Sequence, residues 1–174
     1  KKSREIVEHG IEALKAVWHR GAVDADGKTG DGAGIHVEIP KDFFIEKIEV
    51  TGHDYDNAEI CVGMIFLPRN DYSAQESCKT IVESELTKNN FSIYGWRQVP
   101  VNPKILGQKA LQTMPEIIQV LFKSNDQNLL DKNLERKIYE TRKKIEKKAF
   151  QLSLNNFYIC SISSKSIIYK GLYL

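Results

Sequence analysis

Apolar residues recur along this chain with two periods, near 3.6 and near 2, and their succession predicts a mixed α/β architecture. Over residues 3–19, Ile6, Val7, Ile11, Leu14, Val17 and Trp18 share one helical face, and Gly21 follows the last turn. Residues 24–34 break that pattern with Gly27, Gly30, Gly32 and Gly34 and read as a loop. Ile35, Val37 and Ile39 then alternate with polar neighbours, as in a half-buried strand that stops at Pro40. Residues 41–57 are expected to cross the surface irregularly. Ile60–Leu67 is apolar throughout, the mark of a strand covered on both faces.

Ser73, with Glu76 three residues later, has the form of a capping box. The helix it opens carries Cys78, Ile81, Val82 and Leu86 inward and ends near Asn89-Asn90. Phe91–Val101 reads as a strand interrupted by Gly95, residues 103–113 as a short helix or turn, and Glu116–Phe122 as another strand. Leu130, Leu134, Ile138, Ile145 and Ala149 set a long helix over 129–149. Two strands, 157–162 and 166–170, finish the chain. Ser163-Ser164-Lys165 between them has the length and polarity of a hairpin connection. Strands separated by single helices specify an α+β layered domain, and a final hairpin would leave an open apolar edge. No repeat or low-complexity linker divides residues 1–174, so no internal boundary is expected.

Composition narrows the class without naming a function. The 174 residues are 41% hydrophobic and 28% charged, ordinary values for a globular protein, which exclude disordered or collagen-like chains. With 25 basic and 23 acidic residues the net charge is +2, too small to demand a nucleic-acid partner. No apolar run approaches the roughly 20 residues that span a bilayer, so no membrane partner is expected either. Cys61, Cys78 and Cys160 are far apart and odd in number, and read as core thiols in a reducing, cytoplasmic setting. A plastid setting replaces it if the source is photosynthetic.

Charge is uneven, with a basic excess at Arg136, Lys137, Arg142, Lys143, Lys144, Lys147 and Lys148. A phosphate-backbone face would use such residues, but no aromatic platforms interleave with them, and the solvated side of an amphipathic helix accounts for them. His9, His19, His36 and His53 fall at no metal-binding spacing, and no metal is expected. His53-Asp54 with Asp56 reads as a solvated turn. The sharpest local feature is His19-Arg20-Gly21-Ala22 followed by Thr29-Gly30-Asp31-Gly32-Ala33-Gly34-Ile35. It is no dinucleotide fingerprint, which would follow a strand and open a helix, and it lacks the Gly-Lys-Ser/Thr of a phosphate loop. Either the loop is merely tight or backbone approaches a ligand there, with Arg20 holding a carboxylate or a chain terminus through its forked donors.

Those words, with Asp24-Ala25-Asp26 between them, resemble the N-terminal glutamine amidotransferase domain of glutamate synthase large subunits. Later words agree in order: Phe66-Leu67-Pro68, Gly95-Trp96-Arg97-Gln98-Val99-Pro100, Pro115 with Glu116–Val120, Arg142–Glu146, Phe157–Ser164 and Ile168–Leu172. In wider relatives, class II amidotransferases of the N-terminal-nucleophile hydrolase fold, the first two words are continuous; here they are split by an insertion. The resemblance implies an αββα sandwich, incomplete at both ends of this segment. It implies glutamine hydrolysis by an N-terminal cysteine whose own amine is the base, giving a thioester and ammonia, with an Asn-Gly oxyanion hole. Arg20 and Gly21 match positions that shape the pocket around the nucleophile. His19, Asp31, Gly32, Ala33 and Gly34 match the structural remainder of the motif.

By the same likeness, L-glutamine is the substrate, and the ammonia serves reductive amination of 2-oxoglutarate elsewhere in the parent polypeptide. FMN and an iron–sulfur cluster are implied for that parent but not for this segment, and a small reductase subunit or ferredoxin is implied as its electron partner. The chain opens at Lys1 with no cysteine before its first helix, and no Asn-Gly oxyanion word occurs before Leu174. The isolated segment is therefore expected to be inactive as a glutaminase. The other reading is a non-catalytic interaction module that uses the basic helix 129–149.

Overall fold

The structure is a computed structural model that describes residues 3–171. Readings attached to Lys1, Leu172 and Leu174 lie outside these residues. The elements in chain order are α1 (Arg4–Ala16), β1 (Ala33–Glu38), α2 (Lys41–Val50), β2 (Cys61–Leu67), α3 (Tyr72–Lys88), β3 (Phe91–Gln98), α4 (Gln108–Thr113), β4 (Glu116–Ser124), α5 (Asp131–Gln151), β5 (Tyr158–Ser163) and β6 (Ser166–Gly171). Short 3-10 turns lie at Trp18–Arg20 and Pro103–Ile105. The class is α+β, with antiparallel pairing throughout the larger sheet. The residues gather into two compact units that interleave in sequence. One holds residues up to Val37, Pro100–Met114 and those from Ile168; the other holds Glu38–Val99 and Pro115–Ile167.

The second unit is a four-stranded sheet in the order β3-β4-β2-β5. Its central strand β2 is buried at every position but Phe66, as its unbroken apolar run predicts. Strand side chains alternate between faces, so Cys61, Ile65 and Leu67 join one cluster with Cys78, Ile81, Val82 and Leu86 of α3 and Leu134, Ile138 and Ile145 of α5. Those α3 and α5 positions recur at three and four residues, which gives each helix one continuous buried stripe. Phe91 and Phe122 meet edge to face at 5.3 Å inside this cluster. At Gly95 the β3–β4 register slips, which accounts for the interruption seen in the sequence.

Three local expectations need correcting. Residues 41–57 are not irregular throughout: Lys41–Val50 form α2, with Phe44 and Ile48 fully buried one turn apart. Pro40 precedes the first helical residue and Asp42 lies in the first turn, both favourable at a helix start. The cap of α3 is Asp71, not Ser73; its carboxylate accepts from Ala74 N at 2.9 Å. Gln75 fixes that geometry by donating to the Pro68 and Arg69 carbonyls at 2.8 and 3.1 Å. Finally, β5 and β6 do not form a hairpin. β5 pairs with β2, whereas β6 pairs with β1 in a separate two-stranded sheet.

The short linker connects a strand of one sheet to a strand of the other and is held by a residue far upstream. Glu135 accepts from Ser163 Oγ at 2.9 Å, Ser164 N at 2.7 Å and Ser164 Oγ at 2.8 Å. Lys165 pairs with Asp131, and the Lys165 carbonyl accepts from Ile39 N. A hairpin connection and this one are equally short and polar, so the local sequence does not tell them apart.

The turn around Asp56 is tethered rather than merely solvated. Asp56 accepts from Tyr94 Oη at 2.6 Å and pairs with Lys123, whose ammonium also sits 5.3 Å from the Tyr94 ring centre. The Lys123 hydrogen bond first, and that of Tyr94 second, hold the Asp56 carboxyl at about 2 against an ordinary 3.8. A depressed carboxyl stabilises the fold fully above its unfolded value and loses that contribution as pH falls toward its folded value. The stability gap between wild type and Asp56→Asn is thus expected to be constant above about pH 5 and to close between about pH 4 and 2. The gap should be small, because the Asp56 side chain is half-exposed. Denaturant midpoints measured across that range test this, and a pH-independent gap would contradict it.

Candidate active site

The two halves of the split motif meet in space. Helix α1 begins at the Ser3 cap, and its last turn passes into the 3-10 turn Trp18–Arg20. Arg20 N donates to the Val17 carbonyl and Gly21 N to the Trp18 carbonyl, both at 2.9 Å. The chain then leaves extended at Gly21 (φ −80°, ψ 148°), which ends the helical path and sends Ala22 toward Asp31. Asp31 N donates to the Ala22 carbonyl at 3.1 Å, and Val23 bridges Gly30. A Cβ built on Gly21 would sit 3.2 Å from Asp31 Oδ1, so the halves are in close contact. Gly32 adopts φ +105°, a conformation that side chains disfavour, and it turns the chain into β1. Ala33 and Gly34 open β1, and Gly34 lies against Tyr169 and Lys170 of β6.

Residues 23–30, the insertion, form a closed hairpin-like loop rather than a free excursion. Asp24 N donates to the Thr29 carbonyl at 2.8 Å and Gly27 N to the Asp24 carbonyl at 2.9 Å. The Asp26 carboxylate accepts from Lys28 N, Thr29 N and Thr29 Oγ1 at 2.6–2.9 Å, an Asx-type turn. These bonds, that of the Thr29 hydroxyl first, hold the Asp26 carboxyl well below its usual range. Asp24 is lowered too, chiefly by Lys109, whose ammonium reaches both carboxylate oxygens at 2.6 and 2.8 Å. His19, Arg20, Gly21, Asp31 and Gly32 are exposed, so the rejoined motif presents a surface. Gly107 and Lys109 were not legible as supports of this loop. Asp24, Asp26 and Gly27 signal a turn, but its partners lie some eighty residues on, with Lys109 85 residues after Asp24.

The other sequence candidates lie elsewhere. On α5, Arg136 pairs with Glu140, Arg142 and Lys143 with Glu146, and Lys148 with Glu85. Lys144 donates to Asn89, Lys137 lies over Phe91, and Arg142 also donates to the Ile159 carbonyl at 2.8 Å. The basic side of this helix is thus largely engaged by its own neighbours. Cys61, Cys78 and Cys160 are buried thiols in β2, α3 and β5, and none of them forms a disulfide. Burial pushes the Cys61 thiol far up and that of Cys78 to about 11, the reverse of an activated nucleophile. His53 contacts Thr51 Oγ1 at 3.2 Å and the edge of Tyr94. Among the described residues no group of three or more His, Cys, Asp or Glu side chains is placed to hold a metal ion.

The family described as glutamine amidotransferases class-II matches residues 1–174, and the chain belongs to that family. Among its relatives, a glutamate synthase (NADPH) large chain of Azospirillum brasilense is 53% identical over 174 residues, covering 100% of this chain and 11% of the relative. The ferredoxin-dependent glutamate synthase 1, chloroplastic/mitochondrial, of Arabidopsis thaliana is 39% identical over 172 residues, covering 98% and 10%. That of Spinacia oleracea, chloroplastic, is 36% identical over 174 residues, covering 99% and 11%. The chain spans about a tenth of the length of these relatives. None of its described helices is long and apolar enough to cross a membrane.

Proposed function

We propose that this chain forms part of the glutaminase domain of a glutamate synthase, which hydrolyses L-glutamine to glutamate and ammonia. The observation that supports this reading is the reunion of Gly21-Ala22 with Asp31-Gly32 in a chain of class II amidotransferase family. In this reading residues 1–174 belong to one domain without an internal boundary, which completes an αββα sandwich of the N-terminal-nucleophile type. Arg20 and Gly21 shape the glutamine pocket, and the Arg20 guanidinium offers forked donors to a carboxylate. His19, Asp31, Gly32, Ala33 and Gly34 hold that wall in place.

The nucleophile is an N-terminal cysteine of the parent polypeptide, whose amine takes the thiol proton as sulfur attacks the amide carbon. An Asn-Gly pair of the parent stabilises the oxyanion; ammonia leaves, and water releases glutamate from the thioester. The ammonia then serves reductive amination of 2-oxoglutarate in the parent's other domains. FMN and the iron–sulfur cluster belong there, and a small reductase subunit or ferredoxin supplies electrons.

The 174-residue segment alone is expected to release no ammonia from glutamine, because its cysteines are buried core thiols and a thiolate is the attacking species. The full-length parent is expected to release it. Ammonia from the segment above a buffer control would overturn the inactivity. A parent with no glutamine-dependent turnover would overturn the glutaminase reading.

A further inference from the structure

We propose that the turn Gly107–Lys109 is the seat of the insertion loop 23–30, and that Gly107 and Lys109 are positioning residues for the pocket wall formed by Arg20 and Gly21. The inference rests on the glutaminase reading above. The loop's own closure is slight: one isolated bridge, Val23 to Gly30, and a few backbone bonds. A two-stranded ribbon of that size is marginal by itself in water even with its Asp26 turn, so contacts from outside the loop bear on its shape. What lies against it is the start of α4. Gly107 is the cap residue of that helix, in ordinary extended backbone (φ −70°, ψ 164°) that any residue adopts. The glycine is therefore demanded by space and not by conformation.

A Cβ on Gly107 would fall 2.6 Å from Thr29 N and would overlap Thr29 Oγ1 and Asp26 Oδ2. Those three atoms are the centre of the Asx-type turn that closes the loop. Two residues on, the Lys109 ammonium holds both oxygens of Asp24 at the loop's other strand. The seat thus grips the loop at its tip and at its side. The loop's closure in turn sets the Asp31 N to Ala22 O bond, and with it the contact between Asp31 and Gly21. Helix capping makes the opposite forecast, since serine is a better cap than glycine. Gly107→Ser would then strengthen α4, whereas the seat predicts that it opens the loop.

The test uses the full-length parent, reading amide hydrogen exchange over residues 22–31 together with glutamate formation driven by glutamine or by added ammonia. Gly107→Ser and Gly107→Ala are expected to speed exchange of the loop amides and to raise KM for glutamine about tenfold or more, since misplacement by about 1 Å is costly to oriented groups. The ammonia-driven rate should hold. Lys109→Met is expected to do the same more weakly, by about threefold, and keeps the test decisive if the Gly107 variants fail to fold. Lys109 is exposed and Asp24 half-buried, so loss of the pair costs the fold little. Lys109→Arg should restore the glutamine KM. Unchanged loop exchange in both Lys109→Met and Gly107→Ser overturns the seat. Faster exchange with an unchanged glutamine KM overturns the positioning role. A wild type without any glutamine-driven rate overturns that role together with the glutaminase reading, and loop exchange measured without glutamine distinguishes this from failure of the seat.

Discussion

Arg20→Ala in the full-length parent is expected to lower glutamine-dependent glutamate formation by about 10- to 100-fold while leaving ammonia-dependent formation within about twofold. On the proposed glutaminase reading Arg20 makes charge-assisted hydrogen bonds to a substrate carboxylate, and losing them would cost roughly 1.5–3 kcal/mol. The selectivity follows from position. Arg20 is exposed, and only its main chain is used in the 3-10 turn, where its N–H bonds the Val17 carbonyl. Truncating the side chain leaves that turn intact, so little stability is at stake. Arg20→Lys should recover only part of the loss, because a lysine ammonium cannot present two parallel donors. Steady-state rates with each nitrogen source check the prediction, and equal losses with both would place Arg20 in general support of the fold.

Phe122→Ala is expected to destabilise the second unit by about 3–5 kcal/mol, the usual range for truncating a fully buried aromatic. Phe122 is 0% exposed on β4, opposite Cys61 of β2, and meets Phe91 edge to face. The hole would open in the buried cluster shared by the sheet with α3 and α5, and a close-packed interior closes such a hole only in part. Phe150→Ala provides the contrast, because that ring is 86% exposed on α5 and its loss should fall within about 0.5 kcal/mol. Native-state hydrogen exchange of the β2 and β4 amides measures both. Comparable effects of the two substitutions would contradict the assigned core.

Where one face of an element decides its fate, the sequence alone was a good guide. The continuous run Ile60–Leu67 and the stripes of α3 and α5 are statements about burial, and burial is what their side chains encode locally. Helix α2 was missed because Phe43, Phe44, Ile45 and Ile48 mix adjacent and four-apart apolar positions, so neither period stands out. The cap of α3 was misplaced by two residues because Gln75, which anchors the entering chain, acts from inside the helix. The β5–β6 connection does not declare itself locally, because the strands that β5 and β6 pair with, β2 and β1, lie far upstream. At the site, the motif words were legible, but not their reunion. That depends on the turn at 107–109, which no neighbour of residues 20–34 in the sequence announces.

The separation of β1 from its partner bears on how the chain is made. β1 leaves the ribosome before β6, and the elements from α2 to β5 lie between them, so all of these must emerge before that pair can close. Closing so long a loop is entropically unfavourable and slow compared with the local pairing of β3 with β4. During synthesis β1 waits as an unpaired edge, open to the wrong strand. The Glu135 bonds tie the connection between β5 and β6 to α5, so this connection can be held only after α5 has formed.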